Sequence, residues 1–138
     1  MLKLLLAAPL LLTAAPVWAA EAPAAPAPAA KVSQLMAQAL TNAPGQKLTA
    51  LVVNYPPGGK SPAHRHPGSV FAYVVSGQIR SQNSVTGPVK VYKAGEAFFE
   101  PEGSTHLVSE NASTSEPASL LAVFVAPDGA TLTMPAMK

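Results

Sequence analysis

The pattern of apolar and polar residues changes near residue 47. Upstream, apolar side chains recur at the three- and four-residue spacing of an amphipathic helix, at Val32, Leu35, Met36, Ala39 and Leu40. Asn42, Pro44 and Gly45 then interrupt the pattern. The sequence therefore predicts a short helix over 31–41, followed by a turn up to residue 46, that lies across the outside of a sheet.

From residue 47 onward, short β-rich runs alternate with turn signals. The predicted strands are 47–55, 71–75, 78–82, 89–93, 96–100, 106–109 and 118–125. Short strands at this spacing indicate an all-β sandwich or small barrel. We assign this barrel to residues 47–127 and a C-terminal tail to residues 128–138.

The N-terminus has the features of a secretory signal peptide over residues 1–19. Lys3 precedes a short apolar core, and small residues stand before a cleavage position after Ala19. The alternative is a membrane anchor, which needs about 20 apolar residues, whereas Pro9 and Pro16 interrupt this run. The Ala- and Pro-rich stretch 20–30 is typical of a flexible linker. The predicted location is periplasmic or secreted, without a membrane partner after cleavage.

The composition limits the number of domains, the possible partners and the possible metal ligands. The 138 residues correspond to about one domain. The net charge of +2 comes from few and scattered charged residues, 12% of the chain, which argues against a nucleic-acid partner. The sequence has no cysteine, so it can form neither a disulfide nor a thiolate ligand. A metal ion would have to be held by imidazole, carboxylate, carbonyl or water.

The three histidines are the candidate metal ligands. His64 and His66 are two residues apart, so in a strand both side chains point to the same face. His106 lies in a second turn-and-strand context. We predict that all three meet at one metal ion. The alternative is that His64 and His66 are exposed loop residues beside Pro62 and Pro67.

Two motifs around these histidines resemble those of the cupins. The first cupin motif, G-(x5)-H-x-H-(x3–4)-E-(x6)-G, is matched by Gly58, His64, His66 and Gly77. The second, G-(x5)-P-x-G-(x2)-H-(x3)-N, is matched by Gly95, Pro101, Gly103 and His106, with Glu110 at the asparagine position. The resemblance covers residues 47–127. It implies a double-stranded β-helix, or jelly-roll barrel, with a metal inside.

One ligand of the cupin pattern is absent. The glutamate of the first motif falls at position 70 or 71, where this chain has Val70 and Phe71. By the resemblance, this leaves a shell of three neutral imidazoles, as in the three-histidine members of the family, unless Glu100 or Glu102 supplies a replacement carboxylate. Three imidazoles suit Zn, Cu, Fe or Ni, and Mn less well, whereas the resemblance favours iron or manganese. The expected cofactor is thus one divalent transition metal from these five.

The resemblance to quercetin-dioxygenase-like cupins implies an O₂-dependent oxidoreductase acting on a small chelating substrate. Glu100 and Tyr73 are the candidate catalytic residues. Two alternatives stay open: a non-catalytic periplasmic protein that binds a metal or small ligand, and a metal-dependent isomerase or hydrolase. Cupins are often dimers, so the resemblance also implies a possible homodimer.

Overall fold

The computed structural model describes residues 25–136, which form eleven strands and no helix. The strands are β1 (Lys31–Ala39), β2 (Gln46–Tyr55), β3 (Lys60–Ser61), β4 (His64–Arg65), β5 (Ser69–Ser76), β6 (Gln78–Asn83), β7 (Lys90–Lys93), β8 (Ala97–Glu100), β9 (Thr105–Asn111), β10 (Ala118–Pro127) and β11 (Met134–Pro135). Nothing in this part of the chain is a helix that could cross a membrane. The predicted signal peptide, 1–19, and the start of the linker lie outside the described residues.

The strands form two antiparallel sheets that enclose the core. One sheet has the order β1-β2-β10-β5-β8, and the other has β11-β4-β9-β6-β7 with β3 also paired to β9. Alternate residues of β10 point inward, so Leu120, Ala122 and Phe124 are buried among the inward residues of β5. Val70, Val74 and Ile79 are almost completely buried. This is the predicted all-β, double-stranded β-helix architecture.

The predicted helix over 31–41 is wrong, because residues 31–39 form the edge strand β1. The strand pairs antiparallel with β2, from Lys31 opposite Asn54 to Ala39 opposite Lys47, with an irregularity between Gln34 and Met36. All nine residues of β1 are exposed. A lone short helix in this exposed position would bury too little apolar surface to be stable. Pairing with β2 instead supplies hydrogen bonds across what would otherwise be an open sheet edge.

The segment after β10 returns to the sheet and contributes to the barrel. The predicted tail, 128–138, contains β11, whose residues Met134 and Pro135 pair with Arg65 and His64 of β4. The barrel strands predicted over 47–127 fall within observed strands, apart from one or two residues at their ends. The two-residue strands β3, β4 and β11 are too short to be recognised from the residue pattern.

Candidate metal centre

The pairing of β4 with β9 brings His64 and His106 together. These two residues face each other in the register of the strands, and His66 follows two positions after His64. The ring centroid of His64 lies 4.8 Å from that of His66 and 5.0 Å from that of His106. One nitrogen from each ring lies within 4.8 Å of the others. The expected convergence of the three rings is therefore present, and this cluster could hold a metal ion.

Backbone carbonyls orient the first two rings. His64 Nδ1 lies 2.7 Å from the carbonyl of Pro62, and His66 Nδ1 lies 2.6 Å from the carbonyl of Leu132. A carbonyl only accepts, so each Nδ1–H must be the donor and each Nε2 keeps a free lone pair. Carbonyl contacts of this kind fix ring orientation at metal sites. Both rings are thus held in the tautomer that a metal ion requires.

Both nitrogens of the third ring lie close to polar side chains, and one of them is hydrogen-bonded. His106 Nε2 lies 2.9 Å from the hydroxyl of Ser81, and Nδ1 lies 3.1 Å from Oε2 of Glu100. Both His106 and Ser81 are buried. Ser81 was not recognised as a site residue, although the alternation of β6 places it on the inner face together with Ile79. The ring of His106 therefore has little freedom to turn.

Glu100 lies next to the position of the missing glutamate. It lies directly opposite Val70 on the neighbouring strand, and Val70 is one of the two positions where the first motif would carry its carboxylate. Glu100 is 4% exposed, and its Oε2 also lies 3.9 Å from His66 Nε2. The other candidate, Glu102, is exposed in the turn after β8. Strand β8 thus places a buried carboxylate beside the histidine cluster.

The electrostatics of the cluster favour an ionised carboxylate and a neutral imidazole. Burial raises the pKa of Glu100. The contact with His106 and the charges of the three histidines lower this pKa by more than burial raises it, so the net pKa lies below its usual range. Burial lowers the pKa of His64, and this outweighs the opposite effect of the Pro62 carbonyl. Carboxylate and neutral imidazole are the forms that bind metals.

A metal ion would satisfy an atom that the protein leaves unpaired. Glu100 Oε2 is buried without a hydrogen-bond partner, since its close contact with His106 lacks the alignment of a hydrogen bond. A buried unpaired carboxylate oxygen is costly. Three imidazoles and one carboxylate form a donor set suited to divalent transition metals. His64, His66, His106 and Glu100 therefore fit such an ion.

Tyr73, the other candidate catalytic residue, lies away from the cluster. The inward residues of β5 are Val70, Ala72 and Val74, so Tyr73 points outward and is 39% exposed. Side chains alternate between the two faces of a strand, so a residue between Ala72 and Val74 must face outward. The structure thus places Tyr73 on the opposite face of the sheet from the histidines.

The cluster lies in the wall of a cavity of about 350 Å³ inside the barrel. Most of the wall is apolar, including Leu51, Val53, Val70, Ala72, Phe98, Leu120, Ala122 and Phe124. Its other polar groups include Tyr55, whose hydroxyl lies 2.7 Å from Ser109 Oγ and 3.0 Å from Ser61 Oγ. None of the described lining residues is Lys or Arg. The cavity therefore combines one polar cluster with an uncharged, mostly apolar wall.

The family assignment agrees with this geometry. The cupin domain family matches residues 51–124, which is more than half of the chain and includes all four residues of the cluster. This chain belongs to the cupin family. The family resemblance of the two motifs is thus confirmed.

Known proteins resemble this cupin over different shares of their length. Germin-like protein subfamily 2 member 2 of Arabidopsis thaliana is 31% identical; the match covers 69% of this chain and 48% of the relative, so the chain spans about half the length of that protein. A Klebsiella pneumoniae protein with a double-stranded β-helix domain has a TM-score of 0.60 at 24% identity, over 79% of this chain and 85% of that one. Oxalate decarboxylase from Lactobacillus farciminis, in a formate complex, has a TM-score of 0.55 at 25% identity, and the match covers 64% of this chain and 26% of that one.

Proposed function

We propose that this cupin is a metal-dependent oxidoreductase that acts on a small organic substrate inside the barrel. The observation that carries the proposal is the convergence of His64, His66, His106 and Glu100 in the wall of the cavity. A bound divalent metal would supply Lewis-acid chemistry toward a chelating substrate and, if iron or manganese, a site for O₂. The resemblance to dioxygenase-like cupins favours the second of these uses.

The protein itself positions the three imidazoles, supplies the negative charge of Glu100 and excludes water from the cavity. The carbonyls of Pro62 and Leu132 hold two imidazoles, and Ser81 holds the third. Glu100 is ionised at neutral pH because its pKa is lowered, so the donor set is charged before a substrate enters. The apolar wall keeps bulk water from a bound substrate and strengthens polar interactions inside the cavity.

The cavity favours a small, uncharged substrate over a small anion. Its volume of about 350 Å³ is near the lower end of the usual range for ligand sites, about 300–1,000 Å³. No described lining residue is Lys or Arg, so the bound metal, partly offset by Glu100, would be the positive charge available to an anionic substrate. Oxalate, the substrate named for the Lactobacillus farciminis relative, would therefore have no lysine or arginine to pair with in this cavity. A compound with two adjacent neutral oxygens on a compact apolar body fits better.

Metal analysis combined with O₂ uptake tests this function. We expect the purified protein to contain about one divalent metal per chain and to consume O₂ with catechol-like compounds. His106→Ala and Glu100→Gln should abolish O₂ uptake, whereas Glu102→Gln, which changes an exposed glutamate two residues away, should leave it unchanged. Full turnover by His106→Ala would exclude the proposal.

A non-catalytic binding protein is the second candidate. It is favoured because, beyond the four residues of the cluster, no described lining side chain is a carboxylate, histidine or lysine that could act as a separate general base. Stoichiometric metal without turnover over a broad panel of compounds would support it. An isomerase or hydrolase would use a metal-activated water instead of O₂, and its turnover would continue without oxygen.

We also propose that the protein is exported, with residues 1–19 removed. The support is the residue pattern of the leader. N-terminal sequencing of the protein recovered from the periplasmic fraction should begin at Ala20. An intact N-terminus in the cytoplasmic fraction would contradict the export proposal without affecting the metal site.

A further inference from the structure

Three hydroxyl side chains form a second polar group in the wall of the cavity. The Tyr55 hydroxyl lies 2.7 Å from Ser109 Oγ and 3.0 Å from Ser61 Oγ. Tyr55 and Ser109 are only 2% and 4% exposed, and all three residues line the cavity. We call these three side chains the hydroxyl cluster. It is separate from the four residues that fit a metal ion.

The register of the strands places the hydroxyl cluster beyond the histidines along the same wall. Ser61 of β3 lies opposite Ser109 of β9, and His64 of β4 lies opposite His106 of β9. The two pairs are three residues apart on β9, which corresponds to about 10 Å at about 3.3 Å per residue. The cavity therefore presents two polar groups, while the rest of its wall is mostly apolar.

The hydroxyl cluster has one hydrogen more than its internal contacts use. Three hydroxyls supply three hydrogens, and the two contacts use two of them, whichever oxygens donate. Within the described part of the chain these hydroxyls form no other hydrogen bond. A buried donor without a partner is costly. The cavity therefore favours an occupant that accepts a hydrogen bond from this cluster.

The contacts assign the remaining hydrogen to Ser109. A phenol is more acidic than an aliphatic alcohol and is the better donor, and its shorter contact is the one with Ser109. Tyr55 then donates to Ser109 and accepts from Ser61, which leaves the Ser109 hydrogen for the cavity. Burial raises the pKa of the Tyr55 phenol, so the phenol stays protonated and can donate at neutral pH.

We propose that Ser109 donates a hydrogen bond to a further oxygen of the substrate, at the end opposite the oxygens that chelate the metal. This inference rests on the proposed function and narrows its substrate class to a compact apolar body with a carbonyl or ether oxygen at that far end. Ser109 is then a specificity residue, because a site that hydrogen-bonds one group of a ligand binds the analogue without that group less tightly. Tyr55 is a positioning residue that orients the Ser109 hydroxyl.

Equilibrium binding to the Zn²⁺-loaded protein tests the proposal without any turnover. The probes are protocatechualdehyde, a catechol that carries an aldehyde, and the methylcatechol in which a methyl group replaces that aldehyde. We expect the wild type to bind the aldehyde more tightly. Ser109→Ala should reduce this preference about three- to tenfold, which is the contribution of one hydrogen bond. The ratio of the two dissociation constants removes effects that are common to both probes, such as a change in metal occupancy.

Ser119→Ala is the matched control, because it removes a serine hydroxyl that does not line the cavity and contacts Ser76. It should keep the wild-type preference. Tyr55→Phe keeps the Ser109 hydroxyl but removes its orienting contact, and it should reduce the preference as well. A wild type that binds both probes equally or binds neither would overturn the proposal, as would an unchanged preference in both Ser109→Ala and Tyr55→Phe. A lack of O₂ uptake would contradict the oxidoreductase function but would leave these binding ratios as they are.

Discussion

Single residues determine whether the histidine cluster can hold an ion. His64 and His66 were predictable because their two-residue spacing places both rings on one face of an extended chain. Glu100 was one of two candidates and could not be chosen from the sequence, because its position depends on the pairing of Val70 with Glu100 across two strands. Tyr73 was a candidate catalytic residue, but it points away from the cluster, since local residue spacing does not reveal which face of β5 is inward.

The first residue-level prediction concerns Glu100. Glu100→Gln removes the ionised carboxylate and should weaken metal binding about 10-fold or more, since even supporting residues of metal sites have effects of that size. Isothermal titration with Zn²⁺ or Mn²⁺ measures the change directly. Glu102→Gln is the matched control and should bind as the wild type does, because Glu102 is exposed. Equal affinity of all three proteins would show that Glu100 is not a ligand.

The second residue-level prediction concerns Ser81. Ser81→Ala removes the hydroxyl that contacts His106 Nε2, so the ring loses one of its two partners. We expect metal affinity to fall about 10- to 100-fold, as for other residues that orient ligating histidines. Ser76→Ala is the control, because Ser76 is exposed and contacts only Ser119 among the described hydrogen bonds. A Ser81→Ala protein with unchanged affinity would assign Ser81 to packing alone.

At the scale of the elements, turns were easier to predict than the first strand. The Gly- and Pro-rich segments separated the barrel strands correctly because turn residues act locally. β1 was misassigned because its apolar spacing is compatible with a helix. It forms a strand because it pairs with the open edge of β2, and this pairing cannot be seen in the residue spacing. The role of the C-terminal segment was missed for the same reason: β11 is only two residues long, and its pairing partner is β4.

Substitutions at two turn glycines can distinguish the cost of backbone strain from the cost of a steric clash. Gly77 and Gly45 both have positive φ, but a Cβ at Gly77 would lie 2.5 Å from the carbonyl oxygen of Pro117, whereas one at Gly45 would meet nothing within 4 Å. We expect Gly45→Ala to lower the free energy of unfolding by about 1 kcal/mol and Gly77→Ala by more than about 2 kcal/mol. Urea denaturation measures both. Equal losses would show that the turn after β5 can shift to relieve the clash.

At the scale of the whole molecule, stability should fall in acid. The folded-state pKa of His64 is below 6.5, so the unfolded chain takes up a proton first as the pH falls below that value. The folded-state pKa of Glu100 is below 4.5, so the stability it contributes is present above that value and is lost on further acidification. Both effects act in the same direction. The melting temperature of the metal-free protein should therefore decrease steadily from about pH 7 to below about pH 4.

A bound metal adds to stability by mass action. Chelator should lower the melting temperature at neutral pH and have less effect in acid, where protons already compete for the imidazoles. Scanning calorimetry with and without chelator tests this. The Glu100→Gln protein, with its weaker site, should respond less to chelator than the Glu102→Gln protein. A wild-type melting temperature that is indifferent to chelator would show that the cluster binds no ion.

The contact between His66 and the carbonyl of Leu132 has a consequence for biogenesis. That carbonyl lies 66 residues after His66 in the sequence, and the β11 strand that pairs beside His64 follows it. The imidazole of His66 therefore lacks this orienting contact until the segment around Leu132 has been synthesised and has folded back onto the barrel. We expect tight metal capture only after that step, so the ion that is abundant in the compartment where the barrel closes should load the protein first.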